Sequence, residues 1–196
     1  MRGGESVWIL ASASPRRKNI LKRLGLRFAV EPSRSPEPER TAGESPARYV
    51  VRAARRKAAD VAARHSSGLI VSADTIVVLG DRILGKPADR REAESMLRRL
   101  SGRWHEVVSG VCLFDCRRRT AWAGSSLSRV HFRRLTPQQI ERYLASGEYR
   151  DKAGAYGIQG RAALWIDRIE GCYFNIVGFP VAAFARLCRR AGIKLI

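Results

Sequence analysis

Asp74 stands inside an otherwise apolar run, Leu69 to Leu79, in the stretch LIVSADTIVVLGDRILGKP. A carboxylate in such a place is strongly disfavoured unless something pairs with it. Asp74 is therefore either a satisfied structural carboxylate or a metal ligand or general base at a strand end. A second concentration of reactive types is SASPRR, where Ser12, Ser14, Arg16 and Arg17 surround the start of a helix. The unpaired N–H groups of a helix N-terminus, flanked by hydroxyls and guanidinium groups, suit phosphate oxygens; an ordinary capped helix with solvated arginines uses the same residues. Lys57 falls on an apolar helical stripe, where it either snorkels or turns its charge inward, and Lys86 follows a hairpin in LGKP. Two lysines and two arginines facing a carboxylate would complement a substrate with several negative charges and a divalent cation. In DKAGAYGIQG the glycines permit close backbone approach and Gln159 can read a base edge by hydrogen bonds, or the glycines serve only the turns. His65, His105 and His131 have no metal-ligand spacing, and G-x-S-x-G is missing, so nucleophilic hydrolase chemistry has little support.

These residues need elements to hold them. Val7 to Ala11 reads as a short buried strand, followed by a helix with Ser14 at the N-cap, Pro15 at its first position and Gly25 just past its end. A Pro, Ser and Glu-rich loop follows, then a helix from Ser45-Pro46 to about Arg64 with the stripe Val50, Ala54, Ala58 and Val61. Leu69 to Leu79 is a strand, Gly80-Asp81 a two-residue turn, and Arg82 to Leu84 the return. Asp89 caps a helix to Leu100. Strands over 104–116 and 120–132 form an antiparallel pair, Thr136-Pro137 starts a helix to Ala145, a strand is expected over 162–169, and Pro180 to Arg190 is the last helix. Hairpins together with crossovers predict a mixed α/β sheet rather than a parallel one.

A chain of 196 residues with 45% hydrophobic and 28% charged residues has the size and balance of one domain with a full core. No apolar run is long enough to span a bilayer, and the N-terminal MRGGESVWILASASPRR carries no h-region of useful length, so neither a membrane nor a secretion signal is expected. The net charge of +19 points to polyanionic partners. Arginine supplies 31 of those cations against 6 lysines, a bias that base composition can impose on any surface. The basic clusters lack interleaved aromatics, which disfavours a nucleic-acid platform. Cysteines 112, 116, 172 and 188 form no CxxC pair and read as reduced thiols of a cytoplasmic protein.

Six segments in order, LASASPRR, GESPARYVVRAARRKA, SADTIVV, ILGKPADRREAESMLRRLSGRWHEVVSGV, DKAGAYGIQG and NIVGFP, resemble the Maf family of nucleoside triphosphate pyrophosphatases. The resemblance implies one Maf-like domain over residues 1–196, with an elongated, twisted mixed sheet flanked by helices, similar to inosine triphosphate pyrophosphatases. It implies a magnesium or manganese requirement, cleavage of a nucleoside triphosphate to the monophosphate and pyrophosphate, and a homodimer. By position, Asp74 resembles the family's proton acceptor for water and a metal ligand; Ser12, Arg16 and Arg17 its phosphate-binding turn; Lys57 and Lys86 its phosphate-facing lysines; and Glu37 its acidic loop residue, a metal ligand. Arg17, Thr75 and Gln159 follow the branch acting on dTTP and UTP rather than that acting on 7-methyl-GTP. A role in nucleotide house-cleaning or cell-division arrest goes with it. The rival classes are a basic nucleic-acid-binding protein and a regulator that acts through partners.

Overall fold

A computed structural model describes residues 7–195; the reading of the N-terminal stretch as leaderless falls partly on residues 1–6, outside the described residues. Strand β1 (Trp8–Leu10) leads into helix α1 (Pro15–Arg23), with β2 (Phe28–Val30) and α2 (Pro46–Ala62) next. Pro15 opens α1 and Gly25, at φ +76°, closes it, as their backbone preferences demand. Ser14 holds the N-cap position but makes no side-chain cap bond; its own N–H is instead taken by Ser12 Oγ at 3.3 Å. Ser45 caps α2 through Arg48 N, and α2 ends near the expected Arg64.

The long strand β3 (Leu69–Leu79) turns through Gly80, at φ +57°, into β4 (Arg82–Leu84), with Leu79 opposite Arg82. Helix α3 (Arg90–Leu100) is capped by Asp89, whose carboxylate accepts from Glu92 N at 2.8 Å. Strands β5 (Trp104–Asp115) and β6 (Thr120–Phe132) precede α4 (Pro137–Ala145), which begins in a Thr136–Gln139 capping box. The strand expected over 162–169 is part turn: residues Arg161–Trp165 wind into a 3₁₀ helix and β7 occupies Ile166–Glu170. The turn brings Trp165 to 4.8 Å from the Tyr143 ring, and burying an indole there outweighs extending Ala162 and Ala163. A short helix α5 (Tyr173–Val177) occupies what the sequence presents as a turn, and α6 (Val181–Arg190) is the last.

The strand order is β2-β1-β3-β5-β6-β7, with β4 on β3. The pairs β1·β2 and β1·β3 are parallel and β3·β4 and β6·β7 antiparallel, so the sheet is mixed, as expected. The described residues through Asp74, with Ser109–Ser126 and Gly178 onward, cluster as one compact unit. Thr75–Val108 and Leu127–Val177 cluster as a second. In the first unit the core is Ile9, Ala11, Ala54, Ala58, Val61, Ile70 and Cys112, where the α2 stripe meets the strands. In the second, Phe132 and Tyr156 pack edge to face at 4.7 Å beside His105.

Candidate active site

In the first unit β3 and α2 are fastened by two bonds made from one strand face. Ser72 and Asp74 are two residues apart and therefore share that face. Ser72 Oγ donates to Ala54 O at 2.6 Å, and Asp74 Oδ1 receives Lys57 Nζ at 2.5 Å. Ala54 and Lys57 lie three residues apart on the helix, so the acceptor carbonyl and the lysine follow the same side. The helix is pressed close: a Cβ on Gly110 of β5 would stand 2.2 Å from Val50 O, so only glycine fits under this turn. Asp74 is 7% exposed, and its charge is answered by the ammonium rather than by water.

The loop between β2 and α2 brings a second carboxylate to the same ammonium. Glu37 Oε1 is 4.0 Å from Lys57 Nζ. Both ends of the loop are clasped to α2 or to the turn that follows it. At one end Glu31 accepts from Arg64 Nε at 2.5 Å and meets His65 Nε2 at 2.7 Å, while Asp60 Oδ2 accepts from Arg34 N at 2.8 Å. At the other, Arg52 gives Nε and Nη2 to the two oxygens of Glu44 at 2.8 and 2.6 Å and Nη2 also to Glu39 O at 2.8 Å. That fork pulls the Glu44 carboxyl down to about 2. Tyr49, two turns before Lys57 on α2, has its hydroxyl pushed up first by burial and then by the charges of Asp74 and Glu37.

Helix α1 adds cations. Arg17 donates from Nη1 to Ser12 Oγ at 3.0 Å and from Nε to Gly178 O at 2.9 Å. Burial lowers the Arg17 pKa, the Asp74 charge opposes that, and neighbouring Arg16 adds to it. Of the residues singled out in the sequence, Ser12, Arg16, Arg17, Glu37, Lys57 and Asp74 thus fall in one unit, linked by bonds or by charge.

Thr75, Lys86 and Gln159 belong to the second unit. Thr75 is half-buried in β3, while Lys86 and Gln159 are exposed. The segments carrying the last two are tied together, because Gly154 N donates to Gly85 O at 3.0 Å. The residues that follow Gln159 lie against Glu148: a Cβ at Gly160 would stand 2.1 Å from Glu148 Oε2, which accepts Arg161 N at 2.9 Å. His105, which carries no exposed face, bonds Tyr156 OH at 2.7 Å and so anchors this same segment.

Ser72, Gly110, Arg52 with Glu44, and Gly178 were not among the residues the sequence pointed to. Ser72 had a signal, a polar residue at period two from Asp74; so had Gly110, a glycine inside a strand pattern. Arg52 and Glu44 are eight apart across a loop-to-helix boundary, and Arg17 and Gly178 are 161 apart, where spacing carries no information.

Among the described residues no three His, Cys, Asp or Glu side chains gather as a metal centre. Glu37 and Asp74 are the carboxylates that converge, both on Lys57. One or two carboxylates are the protein share that a magnesium-type ion takes when substrate phosphates and water complete its shell, so this donor set fits such an ion. No helix among the described residues is long and apolar enough to cross a membrane.

A family model described as Maf-like protein matches residues 7–191. A protein of Koribacter versatilis named dTTP/UTP pyrophosphatase is 47% identical over 185 residues, covering 94% of each chain. Proteins with the same name from Syntrophomonas wolfei and Desulforamulus reducens are 44% and 46% identical, over 95% and 96% of this chain and 98% of their own. A solved nucleoside-triphosphatase / dITP/XTP pyrophosphatase of Mycobacterium abscessus overlaps 71% of this chain and 94% of its own at 14% identity and a TM-score of 0.42.

Proposed function

The chain belongs to the Maf-like protein family, and from that premise we propose that it is a single-domain pyrophosphatase acting on dTTP and UTP. The observation that carries the reading is the Lys57–Asp74 pair at 2.5 Å, with Glu37 on the same ammonium. A charged pair this buried is poor value for stability alone, since apolar residues of equal volume hold a helix to a strand as well or better.

In the proposed reaction a water oxygen bonds to the α-phosphorus, the bond from that phosphorus to the bridging oxygen breaks, and pyrophosphate leaves with the electron pair. Asp74 takes the water's proton; Lys57 engages Oδ1, and Oδ2 is the oxygen assigned to the water. Ser12 and Arg16 at the start of α1, with Lys57 and Lys86, hold phosphate oxygens and answer the charge that builds on the leaving group. Glu37 and Asp74 would hold a divalent magnesium or manganese ion, which when bound supplies charge neutralisation at the phosphates.

Arg17, Thr75 and Gln159 are assigned to the base. A threonine hydroxyl and a glutamine amide satisfy the carbonyl and ring N–H edge of a pyrimidine, whereas a methylated guanine is larger and positively charged. A cytoplasmic homodimer accompanies this reading. The test is a product-resolved screen of nucleoside triphosphates. We expect dTTP and UTP to exceed 7-methyl-GTP by about tenfold or more in kcat/KM, the ratio that one unpaired buried polar group produces. The pair Thr75→Gln with Gln159→Glu should narrow the gap. A wild-type preference for 7-methyl-GTP would overturn the assignment.

A further inference from the structure

Helix α3 has a buried face, Ala93, Met96, Leu97 and Leu100, and an outer face that the proposed reaction does not use. Along the outer face Arg91, Glu94, Ser95, Arg98 and Arg99 follow the one-side spacing of a helix. Together with Arg103 from the turn beyond, they line a hollow of about 410 Å³. A second hollow of about 320 Å³ shares Ser95 and Arg99 and adds Arg82, Gly85 and Glu92. Each is in the size range of a small-ligand site.

The charges in these hollows are not balanced. Glu94 is engaged by Arg98 at 2.6 Å, and Glu92 accepts Ala88 N at 2.6 Å at the start of the helix. Among the described residues no carboxylate pairs with Arg91, Arg99 or Arg103. Three guanidinium groups around one concavity repel one another, and an anion seated between them removes that repulsion and receives forked hydrogen bonds. The lining has no aromatic side chain on which bases could stack, and Glu92 and Glu94 would repel an extended phosphodiester chain. A compact ligand fits better.

We propose that the outer face of α3 is an anion site, separate in its residues from the catalytic set, that takes a small polyphosphate such as pyrophosphate. Arg91, Arg99 and Arg103 hold the phosphate oxygens and the Ser95 hydroxyl donates a further bond. The choice of pyrophosphate as probe, and the second equivalent expected at the catalytic set, rest on the proposed reaction.

The test is calorimetric titration of the full chain with pyrophosphate, under a chelator. Wild type should bind two equivalents. The triple variant Arg91→Ser, Arg99→Ser, Arg103→Ser should keep its circular dichroism and basal turnover. In that variant the affinity of one equivalent should fall at least about tenfold, since three charge-assisted contacts, each worth up to about fivefold at an exposed site, are removed together. A control with equal charge loss, Arg117→Ser, Arg118→Ser, Arg119→Ser in the turn between β5 and β6, should keep both equivalents. Equal loss in the two triple variants would show diffuse attraction to a basic surface and overturn the site, as would a single equivalent unchanged by the α3 substitutions. A single-stranded oligonucleotide that binds tighter than pyrophosphate and is lost in the same variant would also overturn it, in favour of nucleic acid. Absent triphosphate hydrolysis would refute the proposed reaction, whereas a single equivalent lost in the α3 variant would still establish this site.

Discussion

Lys57 Nζ lies 2.5 Å from Asp74 Oδ1, and this bond spans from the middle of α2 to the middle of β3. In the proposed reaction the lysine has two tasks, pairing a buried carboxylate and offering the remaining ammonium donors to phosphate. Lys57→Met removes both and leaves Asp74, 7% exposed, without its cation. We expect a loss of about 3 kcal/mol or more in urea unfolding, the magnitude of breaking a buried pair from one side. The double variant Lys57→Met with Asp74→Leu should regain most of the stability and none of the turnover.

Gly110 sets how closely α2 lies on the sheet. Gly110→Ala puts a methyl group 2.2 Å from Val50 O, a backbone atom of the helix that cannot rotate away. The helix must shift or the variant must lose at least about 1 to 3 kcal/mol. Thermal unfolding reads the loss, and a fall in kcat larger than the change in folded fraction reads the shift of Lys57.

The Arg52–Glu44 fork holds the end of the loop that carries Glu37. In Arg52→Met, amide exchange over residues 39–44 should quicken while that of α2 stays, and the metal concentration needed for half-maximal turnover should rise. The charge-swapped pair Arg52→Glu with Glu44→Arg should recover part of both. The Glu44 carboxyl is depressed from 4.5 to about 2, so the fork is intact above pH 4.5 and is lost as pH falls through that window. Unchanged exchange in Arg52→Met would remove the clasp from the account.

His105 is buried against Phe132 and Tyr156, and burial lowers its pKa from 6.5 to about 4. The unfolded chain takes up this proton at higher pH than the folded one does. The contribution of neutral His105 is therefore complete above 6.5 and is lost as pH falls toward 4, with a slope that approaches about 1.4 kcal/mol per pH unit. Unfolding free energies measured across that range should show the slope in wild type and a shallower one in His105→Gln.

Most of the first unit's site is legible in the order of residue types along the chain. Asp74 betrays itself by breaking an apolar run, and Lys57 by sitting on the α2 stripe; each anomaly is explained by the other. The helix bounds follow from caps, which are local chemistry. What is illegible is decided elsewhere: the 3₁₀ turn of Arg161–Trp165 by the aromatic pocket that receives Trp165, α5 by the bonds of the buried Asn175 amide to Val107 O and Ser128 Oγ, and the bond of Arg17 to Gly178 O by a carbonyl 161 residues away. Ser14 shows the limit of a local rule, since it occupies the cap position without making the capping bond.

The most direct test of the central claim is to follow dTTP and UTP hydrolysis in water enriched in heavy oxygen, for wild type and Asp74→Asn. Attack at the α-phosphorus with Asp74 as proton acceptor predicts pyrophosphate as the product and the heavy atom on the nucleoside monophosphate. It also predicts turnover about 10² to 10⁴ lower in a variant that stays folded. Orthophosphate as the released product, the heavy atom on pyrophosphate, or full turnover in Asp74→Asn would contradict it.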